Sequence, residues 1–336
     1  MRQIYLDHQA STSLLPEALD AMLPYLRANS GNPSSLHQAG LNARQALDLA
    51  REQFASFLNA ASTEEILFTG NGTEAVNLAI KGIAYASQRQ GRHLVVSAIE
   101  HPAVLRSVEF LEKQGFSCTR VAVGSTGLVD PQSVKAAIRD DTVLIAVHHV
   151  NHDLGTVEPV AAIGVIAAEK GIPLVVDAVA GAGWLETDVQ ALGAACAVIS
   201  PNRFYGPKGV GVLYRNRRAR LQPLIQGGSQ EGGLRAGTEN VAAIVGAGLA
   251  ASVAARDLQV RQKHVAALQR LLWEGIQKRV SKVALFGPEI GAFRSPANLN
   301  ISALGTEGEG QLLSLDLKGI AVASGSSCLG RSMAMP

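Results

Sequence analysis

The chain has 336 residues, of which 47% are apolar, 17% charged and 4% aromatic, with a formal net charge of +2. This length predicts about two domains and a core that needs no disulfides or zinc, and the apolar share excludes disorder over long stretches. The small charge makes no case for nucleic acid, and the basic cluster Arg215, Arg217, Arg218 and Arg220 reads as a solvated loop.

No apolar stretch follows Arg2, so the N-terminus does not read as a secretory signal and a cytoplasmic protein is expected. From residue 64 to residue 215, short β-branched-rich runs at 66–69, 94–99, 119–123, 143–150, 174–179, 197–200 and 209–214 alternate with amphipathic stretches such as 73–88 and 131–139. That alternation predicts a layered α/β domain with a largely parallel sheet. The unbroken apolar runs at 144–147 and 174–176 predict strands buried on both faces. Residues 237–256 read as a long helix leaving this domain and 257–280 as a second helix. The uncharged run 241–255 contains Gly246, Gly248 and Ser252 and falls short of the roughly 20 residues of a bilayer span, so no membrane helix is expected. Strands at 283–286 and 298–302, a helix around 308–317 and a strand at 320–323 then suggest a smaller α+β domain.

Three cysteines, Cys118, Cys196 and Cys328, are too few and too scattered for a disulfide framework or a four-ligand zinc site. Cys118 and Cys196 lie in strand-like apolar runs and are expected to be inert. Cys328 lies in Ser324-Gly-Ser-Ser-Cys-Leu-Gly330, a Ser/Gly-rich setting that suits an accessible nucleophile or soft ligand.

Other residues point to a ligand at one sheet edge. In Gly70-Asn71-Gly72-Thr73 the glycines permit close backbone approach, the following helix offers unpaired N–H groups and Thr73 adds a hydroxyl, so an anion such as phosphate fits. Alone, the same turn is equally a Gly-rich entry into a helix, and its spacing is not that of a dinucleotide site. Asp177 follows a buried apolar run, where a carboxylate needs a partner such as a cationic ring nitrogen; it could also cap the next turn. His101 and Asn151 each follow a predicted strand, where an imidazole or amide could meet a ligand ring or serve as a cap.

Taken in order, these motifs resemble the cysteine desulfurases of the NifS/IscS type, in the class V aminotransferase group of pyridoxal-phosphate (PLP) enzymes. The resemblance runs through Tyr5-Leu-Asp-His-Gln-Ala-Ser-Thr12, Gly31-Asn-Pro-Ser-Ser-Leu-His37, the turn at 70–74, Ser97-Ala-Ile-Glu-His-Pro-Ala-Val104, 151–156 and Val176-Asp-Ala-Val179. It continues through Gly206-Pro-Lys-Gly-Val-Gly-Val-Leu-Tyr214, Gly227-Gly-Ser-Gln-Glu231, Leu234-Arg-Ala-Gly-Thr-Glu-Asn240, Asn298-Leu-Asn-Ile-Ser302 and the Cys328 loop. It implies a fold type I PLP-transferase-like large domain with a mixed, mostly parallel sheet over residues 15–245, and a small α+β domain from 1–14 and 246–336.

By the same resemblance, Gly72, Thr73 and Ser200 match phosphate-binding positions and His101 the ring that stacks on pyridoxal. Asp177 matches the carboxylate on the pyridine nitrogen, and Asn151 the asparagine near the phenolic oxygen. Thr238 matches a phosphate ligand donated across a dimer interface, which implies a homodimer. Cys328 matches the catalytic thiol that takes sulfur from L-cysteine and holds it as a persulfide for a sulfur-acceptor or iron–sulfur scaffold protein.

Departures from the family pattern fall on its chemistry. Its Ser-x-His-Lys segment reads Ser200-Pro201-Asn202-Arg203, so Arg203 stands at the Schiff-base lysine and Asn202 at the neighbouring histidine. A guanidinium, protonated at neutral pH, offers no amine to attack an aldehyde. Ala180 replaces a cofactor-contacting glutamine, and Lys208 is a weak candidate for a substitute amine. The end at Pro336 leaves the family's substrate arginine without a counterpart, so a shortened small domain with an uncovered edge is expected.

The sequence therefore implies a desulfurase-like protein of sulfur trafficking or iron–sulfur assembly in which PLP is not bound through an aldimine at position 203 and standard catalysis is lost or impaired. In that pseudoenzyme reading Cys328 serves as a sulfur carrier or as one ligand of a metal or shared iron–sulfur cluster. Two alternatives stay open: an active cysteine desulfurase or related lyase using free PLP, and a non-catalytic interaction module.

Overall fold

The computed structural model describes residues 3–325. Cys328 lies outside them. The chain opens with β1 (Ile4–Tyr5), α1 (Pro16–Arg27) and α2 (Gln38–Leu58). Strand and helix then alternate: β2 (Ile66–Thr69), α3 (Gly72–Ser87), β3 (His93–Ser97), α4 (Pro102–Glu112), β4 (Ser117–Val121), α5 (Pro131–Ala137), β5 (Thr142–His148), α6 (Val160–Lys170) and β6 (Leu174–Asp177). β7 (Cys196–Ile199) and β8 (Gly211–Arg215) follow, then the helix α7 (Val241–Arg279), β9 (Val283–Leu285), β10 (Ile301–Ala303), α8 (Gly308–Asp316) and β11 (Ile320–Ala321).

Local chemistry marks the helix starts. Prolines open α1, α4 and α5, where a missing N–H costs nothing, and Asp130 caps α5 by accepting the N–H groups of Gln132 and Ser133. All seven expected strands between residues 64 and 215 form one sheet in the order β2-β8-β7-β6-β5-β3-β4. Its neighbours are parallel except on either side of β8, so the sheet is mixed and mostly parallel. Along β5, Leu144 and Ala146 face one core cluster, which includes Ile80, Ile83 and Val108 of α3 and α4. Ile145 and Val147 face the other, with Phe54 of α2 and Ala250 of α7. Burial on both faces explains the unbroken apolar runs.

The two helices expected over 237–256 and 257–280 are a single 39-residue helix. No Gly or Pro stands between Gly248 and Gly275, so nothing in that stretch breaks it. The boundary expected at 245/246 falls within it. Contrary to the sequence expectation, α7 is long and apolar enough, by length and composition, to cross a bilayer. Its small residues serve packing: Ala247, Ala250, Ala251 and Ala254 are buried, and α7 lies against α1 and α2. A Cβ at Gly248 would come within 2.8 Å of the Ala50 Cα, so the α2 and α7 backbones approach closely.

After α7, β9 and β10 form an antiparallel pair, and β11 pairs in parallel with β1. The strand expected over 298–302 begins at Ile301, and the side-chain N–H groups of Asn298 and Asn300 before it donate to the Asp153 carbonyl. That contact ties this segment to the loop after β5.

Candidate active site

The carboxyl ends of β2, β3, β5, β6 and β7 share one edge of the sheet, where ligands of open α/β sheets bind. A cavity of about 150 Å³ lies there, and its lining includes Gly72, Thr73, His101, Asp177, Ser200 and Arg203. Ala180 and Asn202 line it too, as do His148, His152 and Gln9, which sequence reasoning missed.

Each element brings its residue for a local reason. Asn71 caps α3 through its side chain, which accepts the Glu74 N–H at 2.9 Å, leaving Gly72 and Thr73 as the first two helical residues. N–H groups at these positions have no partner within a helix and lie at its positive end. A Cβ on Gly72 would meet the Ser200 Cβ at 3.3 Å and a Val179 methyl at 3.4 Å, so glycine keeps the turn and Ser200 close together. The Ser200 hydroxyl bonds the Asn202 Oδ1 at 2.7 Å. At the end of β6, the Asp177 carboxylate accepts the Val179 N–H at 3.0 Å. His101 caps α4, its Nδ1 accepting the Ala103 N–H, and its ring meets that of His152 edge to face at 5.0 Å.

Arg203 lies on a short 3-10 turn, Pro201–Arg203, its carbonyl held by the Trp184 indole N–H at 2.9 Å. The N-terminal segment docks on this turn: the Thr12 N–H and hydroxyl both donate to the Asn202 carbonyl, and the Tyr205 N–H donates to the Thr12 hydroxyl. This docking brings Gln9 to the cavity.

Two expected residues stand apart. Asn151 is buried and commits its side chain to the loop, with Nδ2 donating to the Ile99 carbonyl and Oδ1 accepting the Asp153 and Leu154 N–H groups. Thr238 is exposed and lines a second hollow, of about 190 Å³, with Arg235, Glu239 and Gly70. Lys208 is exposed and outside both linings, and among the described residues the cavity has no lysine. Cys196 is fully buried and burial pushes its thiol up to about 12, while burial takes the half-buried Cys118 up to about 11, so neither is a thiolate at neutral pH.

Histidines set the electrostatics. Burial lowers the pKa of His101, opposed by Asp177 and reinforced by Arg203. Burial, with His101, His148 and Arg203 adding to it, pushes His152 down to about 3, and burial with His148 pushes His149 down to about 4. His148 goes the other way: burial opposes its charge, but Glu100 and Glu158 overcome that and push it up to about 10. The wall therefore presents the neutral imidazoles of His101 and His152 beside the Arg203 guanidinium, while the charge of His148 is offset by Glu100 and Glu158. The sequence did hold a signal for this, the spacing His148-His149-Val150-Asn151-His152 at a strand end.

The residues fit a phosphorylated pyridine ring. A helix start at Gly72 packed close to Ser200, the Thr73 hydroxyl, an imidazole and a carboxylate converge on one cavity, whose lining holds no lysine among the described residues.

Residues 4–336 match the model of the "Aminotransferase class-V" family. The chain belongs to this family, among the cysteine desulfurases. It is 44% identical over 332 residues to the cysteine desulfurase IscS of Dictyoglomus turgidum, covering 99% of this chain and 84% of that protein. Among solved structures, a NifS-like protein superposes with a TM-score of 0.92 at 32% identity, covering 96% of this chain and 88% of that one. SspA in complex with cysteine gives 0.84 at 34% identity, covering 98% and 91%. These matches bear out the expected fold and family, and the family implies PLP as cofactor and sulfur transfer as its chemistry.

Proposed function

We propose that this cysteine desulfurase family member serves sulfur trafficking and iron–sulfur assembly with its lysine-dependent turnover lost or impaired. The observation that carries the reading is the cavity lining, which combines Thr73, His101, Asp177 and Ser200 with the Arg203 guanidinium and, among the described residues, no lysine. PLP, when bound, supplies an electron sink for bonds broken at an amino acid's α-carbon. Gly72, Thr73 and Ser200 would hold its phosphate, Asp177 its ring nitrogen and His101 its ring. Arg203 stays protonated at neutral pH, so it neither bonds an aldehyde nor shuttles a proton.

In this reading Cys328 is the working thiol. Its thiolate takes the outer sulfur of a donor persulfide, releasing the donor as a thiol, and passes that sulfur to an acceptor protein. As one ligand of a shared cluster it would need a scaffold partner for the rest. A homodimer, with Thr238 reaching the partner's cavity, completes the proposal; the exposure of Thr238 outside its own cavity agrees with it.

The second reading is a slow enzyme that uses non-covalent PLP on L-cysteine. The convergence of four cofactor-type residues favours it, as does the cysteine held by the similar SspA structure. One experiment separates the two: incubation with PLP, borohydride reduction and mapping of adducts by mass spectrometry, beside an assay of sulfide release from cysteine. The first reading expects no pyridoxyl-lysine and no turnover, with Cys328 loading sulfur from a persulfide donor. Turnover without an adduct supports the second, and an adduct coupled to turnover overturns the first.

A further inference from the structure

We propose that Glu100, His148 and Glu158 form a buried clamp that positions the His101 ring at the cavity, making His148 a positioning residue for the ligand. The proposal rests on the reading that the cavity takes a phosphorylated pyridine ring. The three side chains are 0–2% exposed. His148 Nδ1 lies 2.8 Å from Glu100 Oε1 and Nε2 lies 3.2 Å from Glu158 Oε1. Nδ1 shares a hydrogen bond with Glu100, the Nε2–Glu158 contact is an ion pair without one, and two carboxylates this close to one ring favour its imidazolium form. The His148 backbone N–H donates to the same Glu100 oxygen at 2.9 Å, and the other Glu158 oxygen accepts the Val129 N–H.

Connectivity turns this triad into a clamp. Glu100 immediately precedes His101, so one residue points into the core while the next faces the cavity. Glu158 closes the loop that carries His152, its N–H donating to the His149 carbonyl at 3.0 Å. One imidazolium thus fastens both segments whose His101 and His152 rings meet at the cavity. The titratable groups facing His148 are Glu100, Glu158, Asp177 on the adjoining strand β6, and His149 and His152 on its own segment. Across the cavity α3 presents Thr73 and Val76, which do not titrate. Removing the proton leaves two carboxylates in the core with no cation between them, and removing the Glu100 carboxylate frees the turn before His101 from His148.

The test uses the full chain and the variants Glu158→Gln, Glu100→Gln and His148→Gln. Two quantities are followed from pH 6.5 to beyond about 10: hydrogen exchange in residues 97–104, corrected for the intrinsic rate, and the dissociation constant for PLP. Wild-type affinity is expected to hold through neutral pH and to weaken about tenfold as pH passes about 10, the scale on which outer partners of ligand-holding residues act. In Glu158→Gln this edge moves to lower pH and exchange in 97–104 quickens, because one of the carboxylates that retain the proton is gone. A merely structural role would weaken binding equally at every pH and leave the edge in place.

The clamp is overturned if the folded variants exchange and bind as the wild type does at every pH. It is equally overturned if wild-type exchange shows no acceleration as pH passes about 10, a readout that stands even where a variant fails to fold. Should the wild type not bind PLP, the cavity reading fails and exchange alone decides the clamp.

Discussion

At the scale of single residues, chemistry turns on side chains that local sequence names but cannot place. Arg203→Lys would place an amine on the cavity wall. Borohydride reduction with PLP should then give a pyridoxyl adduct at position 203 that the wild type lacks, with sulfide release from cysteine raised by about 10²-fold, the usual scale of a placed acid–base group. An unchanged adduct map would show that more than the amine is missing. The thiols offer a second check: burial holds Cys118 and Cys196 protonated, so alkylation of the native protein at pH 7 should label Cys328 alone, and all three after denaturation. Arg203 and Ala180 are legible in the sequence as residue types at motif positions, and the structure adds that both line the cavity. His152 is not legible in that way, because a histidine after a strand is as often a cap as a wall residue, and the loop fold alone settles which.

At the scale of elements, the strands were the most legible part. Short apolar runs between turns have few alternatives, and all seven expected between 64 and 215 are present. Along the chain the 39-residue helix α7 reads as two, since its buried Ala/Gly half and its charged half look like different helices. What unites them is the backbone's freedom from Gly and Pro across the join. What fixes the first half is close packing on α2. Gly248→Val would drive its side chain into the Ala50 backbone and should cost about 1–3 kcal/mol, read as a lower urea midpoint.

At the scale of the whole molecule, the buried histidines set how stability follows pH. His149 and His152 have folded pKa values below the ordinary 6.5, so their contribution is present above 6.5 and is lost as pH falls through about 4 and about 3. For His149 the loss is on the order of 3 kcal/mol. His148 has a raised folded pKa, so its contribution is complete below 6.5 and is lost as pH rises through about 10. Thermal melts should therefore give the highest Tm near pH 6.5, and His148→Gln should flatten the alkaline side only. A wild-type Tm that climbs steadily from pH 6.5 to about 10 would contradict the buried imidazolium.

The amino-acid sequence by itself determined the strand set and the family, because periodicity and motif identity are local properties of the chain. Tertiary structure alone decided that Thr73, His101, Asp177, Ser200 and Arg203 share one cavity and that the Asn151 side chain is bonded into the adjoining loop. It also decided that Glu100 reaches His148 across 48 positions of sequence. Such meetings depend on strand order: β5 lies between β3 and β6, so its last residue faces the turn before His101 on one side and Asp177 on the other.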